Sequence, residues 1–204
     1  MIAIVDYKAG NLRSVQRALG YLGYESVVTS EADEILEAER VIFPGVGAAE
    51  RAMQSISSHG LDRVIRRIVD AGTPFLGICM GCQIILDRSE EGDTACMGII
   101  PGVVRRFPAM GLKIPHMGWN TLSVRYDHPV LEGIDPGAGF YFVHSFYPDP
   151  DSQCNVVAVS SYGLDFAAVI AKNNVVATQF HPEKSGRVGL KLLNNFCSWK
   201  GSGY

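Results

Sequence analysis

The sequence is short of positive charge and of long apolar runs. Its 204 residues carry a net charge of −3, with 18 Lys and Arg against 21 Asp and Glu. A nucleic-acid-binding surface needs a concentration of basic residues, so nucleic acid is not an expected partner. No apolar run approaches the roughly 20 residues of a membrane helix, and the first residues do not follow the pattern of a signal peptide. We therefore expect a cytoplasmic protein with no membrane partner.

Cysteines are too few and too irregularly placed for a disulfide framework. The chain has five of them, an odd number, and reduced thiols are the default for such a set. Cys79 and Cys82 form a CxxC pair, but no second pair matches it, so zinc is not indicated. We expect neither a metal nor a cofactor.

The composition is that of a folded chain, with 47% hydrophobic and 19% charged residues. This length suits one well-buried domain, which we predict to span residues 1–204. Strands and helices alternate as far as Gly92, and strands dominate beyond it. The pattern predicts an α/β fold with a mostly parallel central sheet, helices on both faces and a strand-rich C-terminal half.

The predicted strands are short apolar or β-branched runs. They are residues 2–5, 26–29, 41–43, 75–79, 103–107, 121–124, 140–143, 156–159, 167–171 and 175–178. Helical spacing of apolar residues predicts helices at 12–22, 61–69 and 188–199, and Ser30 is predicted to cap a short acidic helix. In such a sheet, residues 6–11, residues 44–47 and the turn at Cys79 should share the rim where ligands bind.

A tight strand-to-helix turn is predicted at Cys79. Residues 75–79 read as a buried strand, and residues 84–86 as the buried side of a helix. Gly77 and Gly81 stand two residues before and after the cysteine, where a nucleophile elbow requires small residues. The turn would push the sulfur into a cleft, and the N–H groups of the helix would favour the thiolate.

A base for this nucleophile is available near the end of the chain. Along an extended segment, His181 and Glu183 would point the same way, so the carboxylate could hold the imidazole in one tautomer. His144 is the other candidate base, but no carboxylate stands beside it. Cys79, His181 and Glu183 therefore form a candidate catalytic triad.

Residues 44–47, residues 77–83 and residues 181–183, in this order, resemble the class I glutamine amidotransferases. The resemblance covers the whole chain. Residues 6–11, 115–120 and 141–146 are similar to the glutaminase subunits of imidazole glycerol-phosphate synthase in particular. That resemblance implies a heterodimer with a (β/α)₈-barrel cyclase, which receives ammonia and acts in histidine biosynthesis.

The resemblance implies that Cys79 attacks the carboxamide of glutamine, His181 moves protons and Glu183 orients His181. Two N–H donors would hold the oxyanion, one from Met80 and one from the Gly45-Val46 peptide. The family pattern further implies two sets of contact residues. The implied substrate-binding residues are Gly47, Gln83, Glu91, His144, Ser145 and Phe146. The implied residues of the partner interface are Asn11, Arg17, Trp119, Asn120, Tyr141 and Lys184.

Three other functions are compatible with parts of the sequence. The Cys79 and Cys82 pair could belong to a thiol-disulfide oxidoreductase, although this leaves the two glycines and residues 181–183 unexplained. The second is a non-catalytic subunit, which the complete triad disfavours. The third is a glutaminase of the anthranilate-synthase type, against which residues 115–120 argue.

Cys79 and Cys82 could also regulate the enzyme, because a disulfide between them would inactivate it.

Overall fold

The computed structural model describes residues 1–8 and 10–201. Its helices are α1 to α6: Leu12–Tyr21, Ala32–Leu36, Ala49–Ser58, Leu61–Asp70, Met80–Ile84 and Gly186–Ser198. Its strands β1 to β7 are Ile2–Val5, Ser26–Thr29, Arg40–Gly45, Phe75–Cys79, Arg88–Ser89, Thr94–Ala95 and Gly102–Arg106. Strands β8 to β14 are His116–Thr121, Ser123–Val124, Gly139–His144, Phe146–Pro150, Val156–Ser161, Asp165–Lys172 and Val175–Thr178.

A central sheet of eight strands runs in the order β2-β1-β3-β4-β14-β13-β12-β9. The five strands from β2 to β14 are parallel to their neighbours, and the last three pairings are antiparallel. Strand β4 therefore lies inside the parallel part, with β3 on one side and β14 on the other. Its carboxyl end, Cys79, emerges at the rim where ligands bind in sheets of this kind.

Helices cover both faces of the central sheet, as the sequence predicts. The core on one face includes Phe43, Phe75 and residues from α2, α3, α4 and α5. On the other face, Leu76 and Ile78 pack among residues of α1 and α6. Because β4 is buried on both faces, its sequence is a continuous apolar run rather than an alternating one.

Two smaller sheets complete the fold beyond the central one. Strands β8 and β10 form an antiparallel pair in which Trp119 lies opposite Tyr141 and His116 opposite His144. Strands β11, β7, β5 and β6 form the other sheet. The strand-rich C-terminal half is thus divided among three sheets.

Several local expectations are wrong in detail. Helix α3 was not predicted, because its buried residues are mostly small and leave a weak apolar pattern. The cap of α2 is Glu31 rather than Ser30. Residues 182–184 form a turn of 3₁₀ helix, so His181 and Glu183 do not lie on an extended segment. Asn173, in the turn between β13 and β14, has a positive φ of 53°.

Within residues 1–8 and 10–201, no helix combines the length and the apolar character that crossing a bilayer requires.

Candidate active site

The backbone at Cys79 forms the sharp elbow that the sequence predicts. Cys79 has φ 54° and ψ −104°, a backbone conformation that residues other than glycine rarely adopt. A Cβ at Gly77 would lie 2.8 Å from the carbonyl oxygen of Gly81, and a Cβ at Gly81 would overlap the carbonyl oxygen of Phe43. The requirement for two small residues is therefore confirmed by the close approach of backbone to backbone.

The imidazole of His181 lies between Cys79 and a buried carboxylate. Its Nδ1 is 2.7 Å from Oε1 of Glu183, and the two side chains are 1% and 0% exposed. Asn11 donates a second hydrogen bond to the same carboxylate oxygen. Among the described residues, Nε2 of His181 has no hydrogen-bond partner of regular geometry, and Cys79 acts on the ring at short range.

Opposing influences set the protonation of His181. Burial alone lowers the pKa of the imidazole, whereas hydrogen bonding and the negative charge of Cys79 and Glu183 raise it. The net result is a pKa raised to about 10. The imidazole is therefore held in the protonated form beside the sulfur at neutral pH, which suits proton delivery to a leaving group.

A cavity of about 340 Å³ opens in front of the sulfur. Its volume is within the range of small-molecule sites. All six predicted substrate-binding residues line it, together with Cys79, Val46, Met80 and His181. Glu183 lies behind His181 and does not line the cavity.

The segment of the predicted second oxyanion donor borders the same cavity. Gly45 pairs with Cys79 across the two strands, and Val46 is 38% exposed. A Cβ on Gly10 would lie 3.3 Å from Cγ2 of Val46, so the two loops predicted to share the rim meet at these residues. Ala9, in the first of these loops, lies outside the described residues. Gly47 has φ 103°, a value that a larger side chain would resist.

The two polar residues predicted for the substrate differ in what they can offer. Gln83 donates both amide hydrogens, to the carbonyl of Phe146 at 2.8 Å and to Oε1 of Gln179 at 2.9 Å. Only its oxygen remains for a ligand. Glu91 accepts from the backbone N–H of Ala49 at 2.8 Å and lines the cavity, whereas Glu90 binds Arg105 and the N–H of Arg106.

His144 is a packed side chain rather than a base. Its Nδ1 is 2.8 Å from the carbonyl oxygen of Phe146, and its Nε2 is 3.0 Å from Nδ1 of His116. Burial lowers the pKa of His144 to about 3 and lowers the pKa of His116 as well. Both rings are therefore neutral at physiological pH.

The thiol-disulfide alternative is disfavoured by the position of Cys82. This side chain is fully buried in the core on one face of the sheet, whereas Cys79 belongs to the core on the other face. Burial and the nearby Cys79 raise the pKa of Cys82 well above its ordinary value. A protonated, inaccessible thiol is a poor partner for exchange. Both cysteines are free, and the silencing disulfide stays an untested prediction.

The predicted interface residues lie beside the triad. Trp119 is 61% exposed, and its ring contacts Tyr141 with centroids 6.0 Å apart. The backbone of Tyr141 accepts from the N–H of His181 at 3.0 Å and donates to Oγ of Ser185 at 3.0 Å. Lys184, in the intervening turn, is exposed.

Helix α1 extends this surface, because it packs against the turn of residues 182–184. Arg17 is exposed on that helix. Asn11, at the start of α1, contacts Glu183. Asn120 is half-buried and donates to the carbonyl of Ser161 at 2.9 Å.

Sequence reasoning missed three residues at the site. Pro115 and Val143 line the cavity. Gln179 donates from Nε2 to Sγ of Cys79, at 3.8 Å. Pro115 and Val143 belong to motifs that the sequence analysis recognises, and Gln179 stands two residues before His181, but no role is assigned to any of the three. The alternation of side chains along a strand, applied backwards from His181 to Gln179, is the signal that could have found the last of them.

Metal coordination was also considered. Across residues 1–8 and 10–201, no group of three or more His, Cys, Asp or Glu side chains is arranged to hold a metal ion.

The pattern of the family "Glutamine amidotransferase class-I" matches residues 3–198. Cys79, His181 and Glu183 all lie inside that match. The chain therefore belongs to the class I glutamine amidotransferase family. The further prediction that the domain reaches residue 204 stays a prediction.

Within this family, the chain is similar to relatives that share the name of one particular subunit. Proteins named "Imidazole glycerol phosphate synthase subunit HisH" from Dehalococcoides mccartyi and Nitratidesulfovibrio vulgaris are 52% and 53% identical to this chain. The two alignments each cover 96% of this chain, and 96% and 95% of the relatives.

Solved structures support the fold at lower identity. A structure described as "Crystal structure of glutamine amidotransferase" has a TM-score of 0.78 at 20% identity, covering 98% of this chain and 100% of that one. The structure of PurLQS from Thermotoga maritima has a TM-score of 0.76 at 21% identity, covering 97% of each chain. The predicted fold class is confirmed.

The pKa of His181 predicts how stability changes in mild alkali. Its pKa in the folded protein, about 10, exceeds the unfolded value of about 6.5. The stabilisation from the protonated ring is therefore complete below about pH 6.5 and is lost as the pH rises towards 10. Urea unfolding between pH 6.5 and 9.5 should show the free energy of unfolding falling more for the wild type than for His181→Gln. Parallel curves for the two proteins would contradict the assignment.

Proposed function

We propose that this chain is the glutaminase subunit of an imidazole glycerol phosphate synthase, acting in the cytoplasm. The observation that carries the proposal is the alignment of Cys79, His181 and Glu183 at a cavity of about 340 Å³. The name shared by relatives that are about half identical supplies the particular synthase.

The proposed reaction begins when the thiolate of Cys79 attacks the side-chain carbonyl carbon of glutamine. A C–S bond forms, and the carbonyl oxygen becomes an oxyanion held by the N–H groups of Met80 and of the Gly45-Val46 peptide. His181 then gives its proton to the amide nitrogen, the C–N bond breaks, and ammonia leaves. Asn11 and His181 both donate to Glu183, so this carboxylate is held in place while it orients the ring.

Water completes the turnover. The neutral His181 takes a proton from a water molecule, which attacks the thioester, and glutamate leaves as the C–S bond breaks. The proton returned to His181 restores the starting state beside the thiolate. No step requires a metal or a cofactor.

The amino-acid end of glutamine is proposed to lie against Gln83, Glu91 and residues 144–146. The ammonium group of the substrate is a donor, and the oxygen of Gln83 and the carboxylate of Glu91 are acceptors. Because Gln83 spends both of its amide hydrogens inside the protein, it is better suited to this ammonium than to the carboxylate of the substrate.

A cyclase of (β/α)₈-barrel form is proposed to cover the surface formed by Asn11, Arg17, Trp119, Asn120, Tyr141 and Lys184. Exposed aromatic and basic side chains are typical of interface anchors. Because Tyr141 is hydrogen-bonded to the backbone of His181, a partner on this surface would lie directly over the catalytic turn. Ammonia released there would pass to the partner without crossing bulk water.

The proposal is tested by glutamate release from glutamine. The purified chain should be nearly inactive alone and should gain at least about 100-fold in rate with the cyclase subunit of the same organism and its nucleotide ligand. We expect this gain because binding of the cyclase would orient the second N–H donor, that of the Gly45-Val46 peptide, towards the oxyanion. Trp119→Ala should raise the cyclase concentration needed for half-maximal stimulation by about tenfold or more.

Two results would contradict this assignment. Full activity of the isolated chain, unchanged by the cyclase, would retain the glutaminase chemistry but require another acceptor enzyme. If Trp119→Ala needs the same cyclase concentration as the wild type for half-maximal stimulation, the interface lies elsewhere on the chain.

A further inference from the structure

Gln179 is a buried side chain whose amide faces the nucleophile. It follows β14, is 0% exposed, and donates its backbone N–H to the carbonyl of Ala168 at 2.9 Å. Its Nε2 is 3.8 Å from Sγ of Cys79, within reach of a sulfur acceptor. Neither the proposed reaction nor the family resemblance gives this side chain a task.

The orientation of this amide follows from its other contact. Oε1 of Gln179 accepts from Nε2 of Gln83, so the NH₂ group of Gln179 must be the end that faces sulfur. Gln83 cannot reverse its own amide, because its nitrogen must donate to the carbonyl of Phe146, which can only accept. A single backbone carbonyl thereby sets the direction of two consecutive carboxamides.

The carbonyl of Phe146 also accepts a hydrogen bond from the imidazole of His144, which in turn contacts the imidazole of His116. His144 must carry its proton on Nδ1 to donate to the carbonyl of Phe146, so its Nε2 accepts from Nδ1 of His116. Nε2 of His116 in turn lies 3.4 Å from Nδ2 of Asn120, whose Oδ1 accepts from the N–H of Thr121. In this chain of hydrogen bonds, which runs from Asn120 through His116 and His144 to the carbonyl of Phe146, each donor has only one possible direction.

We propose that Gln179 is a further catalytic residue, which stabilises the thiolate of Cys79 by an amide N–H hydrogen bond. The bond is long in the structure, and charge-assisted hydrogen bonds are shorter and about twice as strong as neutral ones. The contact should therefore tighten when the sulfur is ionised. Gln83 acts through Gln179 as a positioning residue, because it prevents the amide from presenting oxygen to a negative sulfur.

The other groups that act on Cys79 leave room for this role. His181, from the turn after β14, supplies the positive charge. Tyr7 and Cys82 are both buried beside Cys79, and burial raises the pKa of each. Neither is ionised at neutral pH. Gln179 is thus a neutral donor on the sulfur in addition to the cationic ring.

The proposal rests on the proposed function for the role of Cys79 as nucleophile, but its test does not depend on that function. Iodoacetamide alkylates a thiolate, so the rate at Cys79 between pH 5 and 9 reports ionisation without glutamine or cyclase. Mass spectrometry of the Cys79 peptide separates this rate from that of the exposed Cys154. Gln179→Met, which keeps the size and removes the donor, should raise the midpoint by about one pH unit and slow alkylation below it by about tenfold.

Two further variants make the result decisive. Gln179→Glu retains an acceptor for Gln83 and turns an oxygen towards sulfur, so its midpoint should rise at least as far, even if Gln179→Met folds poorly. Asn174→Leu is the matched control, because Asn174 is a buried carboxamide that donates to the carbonyls of Val69 and Thr73, away from the site. Its midpoint should equal that of the wild type.

An unchanged midpoint in both Gln179 variants, or an equal shift in the control, would overturn the role of Gln179. Failure of the cyclase to stimulate glutamine hydrolysis, with the midpoint shifted as expected, would instead refute the synthase assignment alone.

Discussion

Cys79→Ala is expected to lower the rate of glutamate release from glutamine by at least about 10⁴-fold in the presence of the loaded cyclase. The substitution removes the sulfur proposed to form the thioester, while the cavity and the surface around Trp119 remain. Binding of the cyclase should therefore be unchanged. A coupled glutamate assay and a binding titration measure the two quantities on the same samples.

The matched control is Cys82→Ala, which removes a sulfur three residues away from a fully buried position. It should retain most of the activity and lose some stability to the small cavity left behind. If Cys82→Ala loses as much activity as Cys79→Ala, the two thiols act together and the triad chemistry is wrong. Recovery of peroxide-treated wild type by a reductant, absent from Cys82→Ala, would support the silencing disulfide.

Gly81→Ala is expected to destabilise the fold by about 3 kcal/mol or more, with loss of activity. A Cβ at this position would overlap the carbonyl oxygen of Phe43, which belongs to the neighbouring strand and cannot move without disturbing its pairing with β4. Overpacking against side chains costs about 1–3 kcal/mol, and rigid backbone yields less than side chains do. Urea unfolding at neutral pH measures the loss.

Gly20→Ala is the corresponding control in α1. Gly20 is exposed, and a Cβ there would meet no atom within 4 Å. Alanine in an exposed helix should stabilise the protein by about 0.5–1 kcal/mol relative to glycine. Equal losses in the two variants would mean that the elbow has no special steric demand.

The elbow was predictable because its constraints are local. The buried strand, the tight turn and the two flanking glycines all lie within nine consecutive residues, 75–83. The need for small residues at Gly77 and Gly81 follows from the turn itself and can be inferred without knowing which distant segments pack there. The strand of Val175–Thr178 and the helix ending at Ser198 were also visible, because strong apolar patterns override weak capping signals.

The remaining features depend on contacts between distant segments. Nothing near Gln83 in the sequence indicates that Gln179 will accept its amide hydrogen. The conformation of residues 182–184 follows from docking of that turn against β10 and α1, and Pro182 suits the first position of a helical turn because its φ is fixed at about −65°. Helix α3 could have been found from helix propensity, since Ala, Glu, Arg, Met and Gln fill its first six positions.

The order of strands in the central sheet has a consequence for synthesis of the protein on the ribosome. Strand β4 pairs on one side with β3, made before it, and on the other with β14, made near the end of the chain. Until β14 emerges, the nascent chain presents β4 as an apolar edge, the kind of edge that invites aggregation. The same delay keeps Cys79 without His181 and Gln179. Insertion of β14 between β4 and β13 therefore joins the two parts of the sheet and, in the same event, brings His181 and Gln179 to the proposed nucleophile.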